Sequence, residues 1–162
     1  MKYLITFVLF FVTTALTIAC SCMSPKKITI KDVENAHSIF KGVVQSIEQT
    51  SDGRYKRVMF KVQEMYKGNE TKKEIEIYTR ESTGSCGLDI ELNEVWYIYS
   101  YSGDEMLVTS RCDRNVKFHE PVYRGSDLRR NFQKERYEKA LARFEEDLKF
   151  IQNYMDSLGI PQ

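Results

Sequence analysis

The chain has 162 residues, 42% of them hydrophobic and 29% charged, with 24 Lys and Arg balanced by 23 Asp and Glu. Its basic residues interleave with glutamates along nearly the whole length, so it lacks the basic stripe that nucleic-acid binding requires at physiological salt. His37 and His119 lie in no metal-ligand spacing. No Ser, His and Asp signature pairs a nucleophile with a base, so the chain reads as a non-enzyme with no cofactor.

Met1-Lys2 opens on a basic residue, and Leu4 to Ile18 is an apolar run broken only by threonines. That run is too short and wrongly flanked for a spanning helix and predicts a signal peptide over residues 1–19. Thr17 and Ala19 are the small residues a signal peptidase inspects, which puts the cut after Ala19 and leaves Cys20 first with a free α-amino group. Loss of Lys2 then leaves 23 basic residues against 23 acidic ones. The alternative is lipidation of Cys20, although Thr17 stands where a lipoprotein box prefers an aliphatic residue. Either route implies a secreted or extracytoplasmic protein, in the periplasm or cell envelope if bacterial, and contact with a membrane only if Cys20 is lipidated.

Four cysteines follow the leader, Cys20, Cys22, Cys86 and Cys112, and an even count in an exported chain is read first as two disulfides. Cys20 and Cys22 are poorly placed to bridge each other, which leaves each to pair with one of Cys86 and Cys112. A short loop with Pro25 comes next, and Thr29–Ala36 predicts a helical turn started by Thr29 or Asp32. From Ser38 the pattern becomes that of strands. Residues 39–47 alternate imperfectly around Gly42, which suggests a bulge or a sharp bend; Ser51-Asp52-Gly53 makes a turn; and residues 55–66 form a long strand ended by Lys67-Gly68-Asn69. Further strands are predicted over 74–79, from Gly87 or Leu88 to Leu92, 95–101 and 106–112. Five or six strands separated by turns describe a small barrel or a sandwich, between which periodicity does not choose.

From Asp127 the period is helical. Tyr137, Leu141, Phe144, Leu148, Ile151, Met155 and Leu158 step by threes and fours into one apolar stripe, with Gly159 and Pro161 to end the helix. Such a stripe either lies on the chain's own barrel or pairs with another chain. Lys134 with Glu138, Glu135 with Lys139, and Glu145 with Lys149 are candidate i,i+4 pairs on the wet faces.

Taken together, Cys20-Ser21-Cys22, Phe60 to Gly68, Ile75-Glu76-Ile77-Tyr78-Thr79, Ser85-Cys86-Gly87, Trp96-Tyr97-Ile98-Tyr99 and Val108 to Asp113 occur in an order that resembles the N-terminal domain of the tissue inhibitors of metalloproteinases, within the netrin-like modules. The resemblance covers roughly residues 20–115 and implies a mainly β fold. That fold is a five-stranded OB barrel over residues 20–125, here followed by a long C-terminal amphipathic helix over 126–162. It also implies the pairs Cys20 with Cys86 and Cys22 with Cys112. A third N-terminal disulfide and the family's C-terminal domain are missing, and the proline falls one residue late.

The resemblance further implies a protein partner, a zinc metalloendopeptidase. The amine and carbonyl of Cys20 would chelate the protease zinc, which is the one metal role expected of this residue. Ser21 would enter the primed-side pocket, with Cys22, Thr83, Gly84 and Ser85 alongside. The alternative is a secreted or envelope-anchored binding module of the same fold without inhibitory activity, since netrin-like modules also serve elsewhere.

Overall fold

The computed structural model describes residues 20–22, 26–81, 86–118 and 126–159. Helix α1, Ile30–Asn35, is set by its first turn: Thr29 accepts from the Asp32 amide, and the Asp32 carboxylate accepts from the Thr29 amide at 2.8 Å. This reciprocal cap satisfies donors that a short helix leaves open. Val33 carries the helix into the core.

Six strands follow: β1 Ser38–Gln49, β2 Tyr55–Lys67, β3 Glu74–Arg80, β4 Val95–Ser102, β5 Leu107–Val108 and β6 Val116–Lys117. β1 pairs antiparallel with β2 on one edge and with β4 on the other, β2 pairs with β3, and β4 pairs with β5. A single parallel contact, Tyr78 with Val108, joins β3 to β5 and closes a five-stranded mixed barrel of the OB type. β6 lies outside that ring, on the edge of β4 opposite β1. β1 can serve two neighbours because it bends, with register shifts against β2 after Ile39, Lys41 and Val44. A Cβ on Gly42 would stand 2.9 Å from the Lys61 carbonyl, so the bend requires glycine there.

The barrel interior is filled by Phe40, Val44, Val58, Phe60, Ile77 and Ile98 with their neighbours. A second apolar layer lies outside the wall, where Ile39, Tyr97, Tyr99 and Val116 meet Ile151 and Met155 of helix α2, Asp127–Ser157. β4 is therefore buried on both faces, which is why Trp96 to Ser100 reads as an unbroken run rather than an alternation. Phe144 stacks edge-on against Tyr97 at 4.7 Å and Phe118 at 4.9 Å, and Tyr137 donates to the Phe118 carbonyl. The helix thus lies on its own barrel.

Some predicted elements differ in the structure. Residues 88–92 form no ladder: the Leu88 amide donates to Thr79 Oγ1 and the Glu91 amide to Glu94 Oε2, so side chains replace a partner strand. The strand predicted over 106–112 keeps only Leu107–Val108, because Ser110 and Asp113 bind each other's backbone and turn the chain. Leu158, placed on the stripe, is exposed beyond the barrel. Of the three predicted helix pairs, Lys134–Glu138 and Glu135–Lys139 form.

Candidate functional site

Cys20-Ser21-Cys22 lies at the barrel surface, Cys20 half-buried and the other two exposed. Two disulfides hold it, Cys20–Cys86 with Cα atoms 5.2 Å apart and Cys22–Cys112 at 5.0 Å. These are the pairs that the resemblance implies. They fit an oxidising, extracytoplasmic compartment, and no described helix is long and apolar enough to cross a membrane.

The barrel side of the site is fixed independently of the sulfurs. Cys86 adopts a left-handed backbone, φ 68°, and its carbonyl accepts from the Arg111 amide at 2.8 Å. Cys112 sits in the tight turn in which its amide donates to Ser110 Oγ and the Ser110 amide donates to Asp113 Oδ2. Asn115 ties this turn to β4. Its amide nitrogen donates to Thr109 Oγ1 and to the Ser110 carbonyl, and its oxygen accepts from the Tyr99 amide. Burial pushes the Asp113 carboxyl up, against the lowering effect of its bonds to Ser110 and Thr109.

The N-terminal segment is anchored from the other side by Arg114. Its guanidinium donates to the Lys26 carbonyl at 2.6 Å and to both carboxylate oxygens of Asp147 on α2, at 2.7 and 2.5 Å. Asp147 and Arg114 are both buried. Segment, turn and helix are thereby held together by one side chain. A groove of about 590 Å³ opens beside Ser21 and Cys22, walled by Tyr101, Cys112, Asp113 and Arg114.

Cys20, Ser21, Cys22, Cys86 and Cys112 are thus brought together. Thr83, Gly84 and Ser85 lie outside the described residues, as do the leader and His119; the last two of the three directly precede Cys86 in sequence. His37 takes an ordinary role, its Nδ1 sharing a hydrogen bond with Ser102 Oγ at 3.0 Å.

Sequence reasoning missed Arg114 and Asp147. A signal existed for the second: Asp147 falls between Phe144 and Ile151 on the apolar stripe, and a carboxylate on a buried helix face needs a cation. For Arg114 there was none beyond its place after Cys112-Asp113.

Fold and site together define a small OB-type barrel whose Cys20-Ser21-Cys22 tripeptide is stapled at two points to its rim and backed by its own C-terminal helix. No family model and no curated protein matches the chain.

Proposed function

We propose that the chain is a secreted metalloendopeptidase inhibitor of the tissue-inhibitor type, not an enzyme, in which a free N-terminal Cys20 occupies the open position of the protease zinc. The observation that carries this reading is the double stapling of a surface tripeptide: Cys20 and Cys22 are each bonded to a different barrel loop, with Cys20 half-buried and Ser21 exposed between them. A wedge so held loses little ordering entropy on docking. Cleavage after Ala19 would free the α-amine, which near its ordinary pKa of about 8 is partly neutral at pH 7 and yields its remaining proton to the metal. Amine and carbonyl of one residue form a five-membered chelate on zinc, displacing the water the protease needs. Ser21 enters the primed-side pocket, and the segment containing Thr83, Gly84 and Ser85 lies against the protease through Cys86.

The test is a chain beginning at Cys20 compared with one extended by a single alanine. The added residue moves the amine by about 3.5 Å without touching either disulfide. The chain starting at Cys20 is expected to inhibit at least one zinc endopeptidase, and the extended one to be weaker by about 100-fold or more. Equal inhibition by both rules out chelation.

A second reading has one observation in its favour. Phe132 is 59% exposed on the first turns of α2, where Arg129, Arg130 and Arg136 are also exposed, as a binding module using its helix would require. Absence of inhibition across a panel of zinc endopeptidases, or a lipid on Cys20 by mass spectrometry, would favour it.

A further inference from the structure

The four sulfurs form one cluster. All lie within 4.8 Å of one another. Besides the two bonds, Cys20 Sγ is 3.8 Å from Cys22 Sγ and 3.7 Å from Cys112 Sγ, and Cys112 Sγ is 3.7 Å from Cys86 Sγ. In a zinc tetrathiolate with Zn–S near 2.3 Å, the sulfur–sulfur edges of the tetrahedron are about 3.8 Å. Three of its six edges are therefore already at the required length between atoms that share no bond. Cleaving the two disulfides lets the bonded pairs relax toward the same spacing.

We propose that these four cysteines, when reduced, form a tetrathiolate zinc site. Two features keep the ligands together once the bonds are gone. Cys86 and Cys112 are held by the Arg111 amide and the Ser110–Asp113 turn. Lys26, four residues after Cys22 in sequence, is itself held on the barrel by the Arg114 bond to its carbonyl. A tetrathiolate centre carries two negative charges. Lys26 and Lys27 line the groove beside Cys22 and Cys112, as do Asp32 and Asp113, while the Arg114 charge in the same wall is already paired with Asp147.

The chemistry balances. A dithiol or phosphine reductant delivers two electrons and two protons to each disulfide, giving four thiols. Zn²⁺ then displaces the four protons to give the dianionic centre. In reverse, an oxidant of the disulfide or quinone class removes four electrons, re-forms both bonds and releases Zn²⁺. The site would hold the N-terminal segment on the barrel before oxidation as the disulfides do after it. It is independent of the protease-inhibitor reading, since it uses the side chain of Cys20 and not its amine.

The test uses the purified chain reduced by a non-chelating phosphine under anaerobic conditions, with zinc and then cobalt as probes. The expected result is one zinc per chain, and for cobalt the intense thiolate charge-transfer bands of a tetrahedral four-sulfur site. Cys22→Ser and Cys112→Ser should each weaken zinc binding by about 100-fold or more, since loss of a group that merely orients a ligand already costs 10–100-fold. The disulfide-bonded chain should bind none. Three results would overturn the site: a reduced chain that keeps its circular-dichroism spectrum yet takes up no zinc, binding unchanged by the serine variants, or comparable binding by the disulfide-bonded chain. If reduction unfolds the chain, refolding on addition of one equivalent of zinc is expected, and failure to refold also overturns it.

Discussion

Arg114 shows how much of the site depends on one side chain. Its two bonds to Asp147 and one to the Lys26 carbonyl join helix, barrel turn and N-terminal segment. Both partners have been taken out of water, and the attraction between them offsets that cost only while both are present. Arg114→Met strands the Asp147 carboxylate, so urea unfolding should show a loss of about 3–5 kcal/mol, most of it recovered by adding Asp147→Leu. A single variant no less stable than the double one would mean that the pair is not buried as described. Asp113 makes the opposite kind of contribution. Burial raises its folded-state pKa above the unfolded value, so the folded state holds its proton more tightly and stability falls as pH rises through that interval. Asn at this position can still accept from the Ser110 amide but does not ionise. The melting temperature of Asp113→Asn relative to the parent should therefore climb as pH is raised from the ordinary aspartate value of about 3.9 toward neutrality. A difference that stays flat over that range would show that its bonds to Ser110 and Thr109 fully offset burial.

Helix α2 at the next scale up is 31 residues long, about 46 Å at 1.5 Å per residue, more than a small barrel can cover. Ile151 and Met155 are buried on the wall, whereas residues 129–132 are exposed. Ile151→Ala should cost about 2–5 kcal/mol, as for any fully buried isoleucine, and a chain ending at Gly125 should melt lower and expose the outer face of Tyr97 and Tyr99. Unchanged melting of the shortened chain would contradict the packing. The period of this helix was legible because Tyr137 to Met155 repeat it over five turns; Leu158 continues the period after the barrel has ended. The 88–92 stretch misled for a related reason. Leu88 and Ile90 alternate and are buried while Leu92 is exposed, so the pattern reported which side chains face in but not that Thr79 and Glu94 replace a ladder. β6 has two residues and no period to read. At the site, the cysteines were legible because an even count after a leader-like apolar run is read first as disulfides, whereas Arg114 and Asp147 meet only through the fold.

At the scale of the whole molecule, the disulfides act on the unfolded chain more than on the barrel. They span 66 and 90 residues, and by chain entropy each alone is worth about 4.5 kcal/mol. They are not independent, because the two loops share most of their length. Once Cys20 is bonded to Cys86, the path from Cys22 to Cys112 runs through that bond: 2 residues back to Cys20 and 26 on from Cys86, 28 in all, in place of 90. The second bridge then closes a loop of 28 residues and adds about 3.6 kcal/mol, whichever of the two forms second. Replacing either pair by alanine should therefore cost about 3.6 kcal/mol, the same for both pairs despite their different spans. Replacing all four should cost about 8 kcal/mol, more than twice the single-pair loss. Denaturant unfolding of the two double variants and the quadruple variant measures this directly. If the Cys22–Cys112 variant lost clearly more than the Cys20–Cys86 variant, the longer bridge would have a stabilising role in the folded barrel that loop closure does not supply.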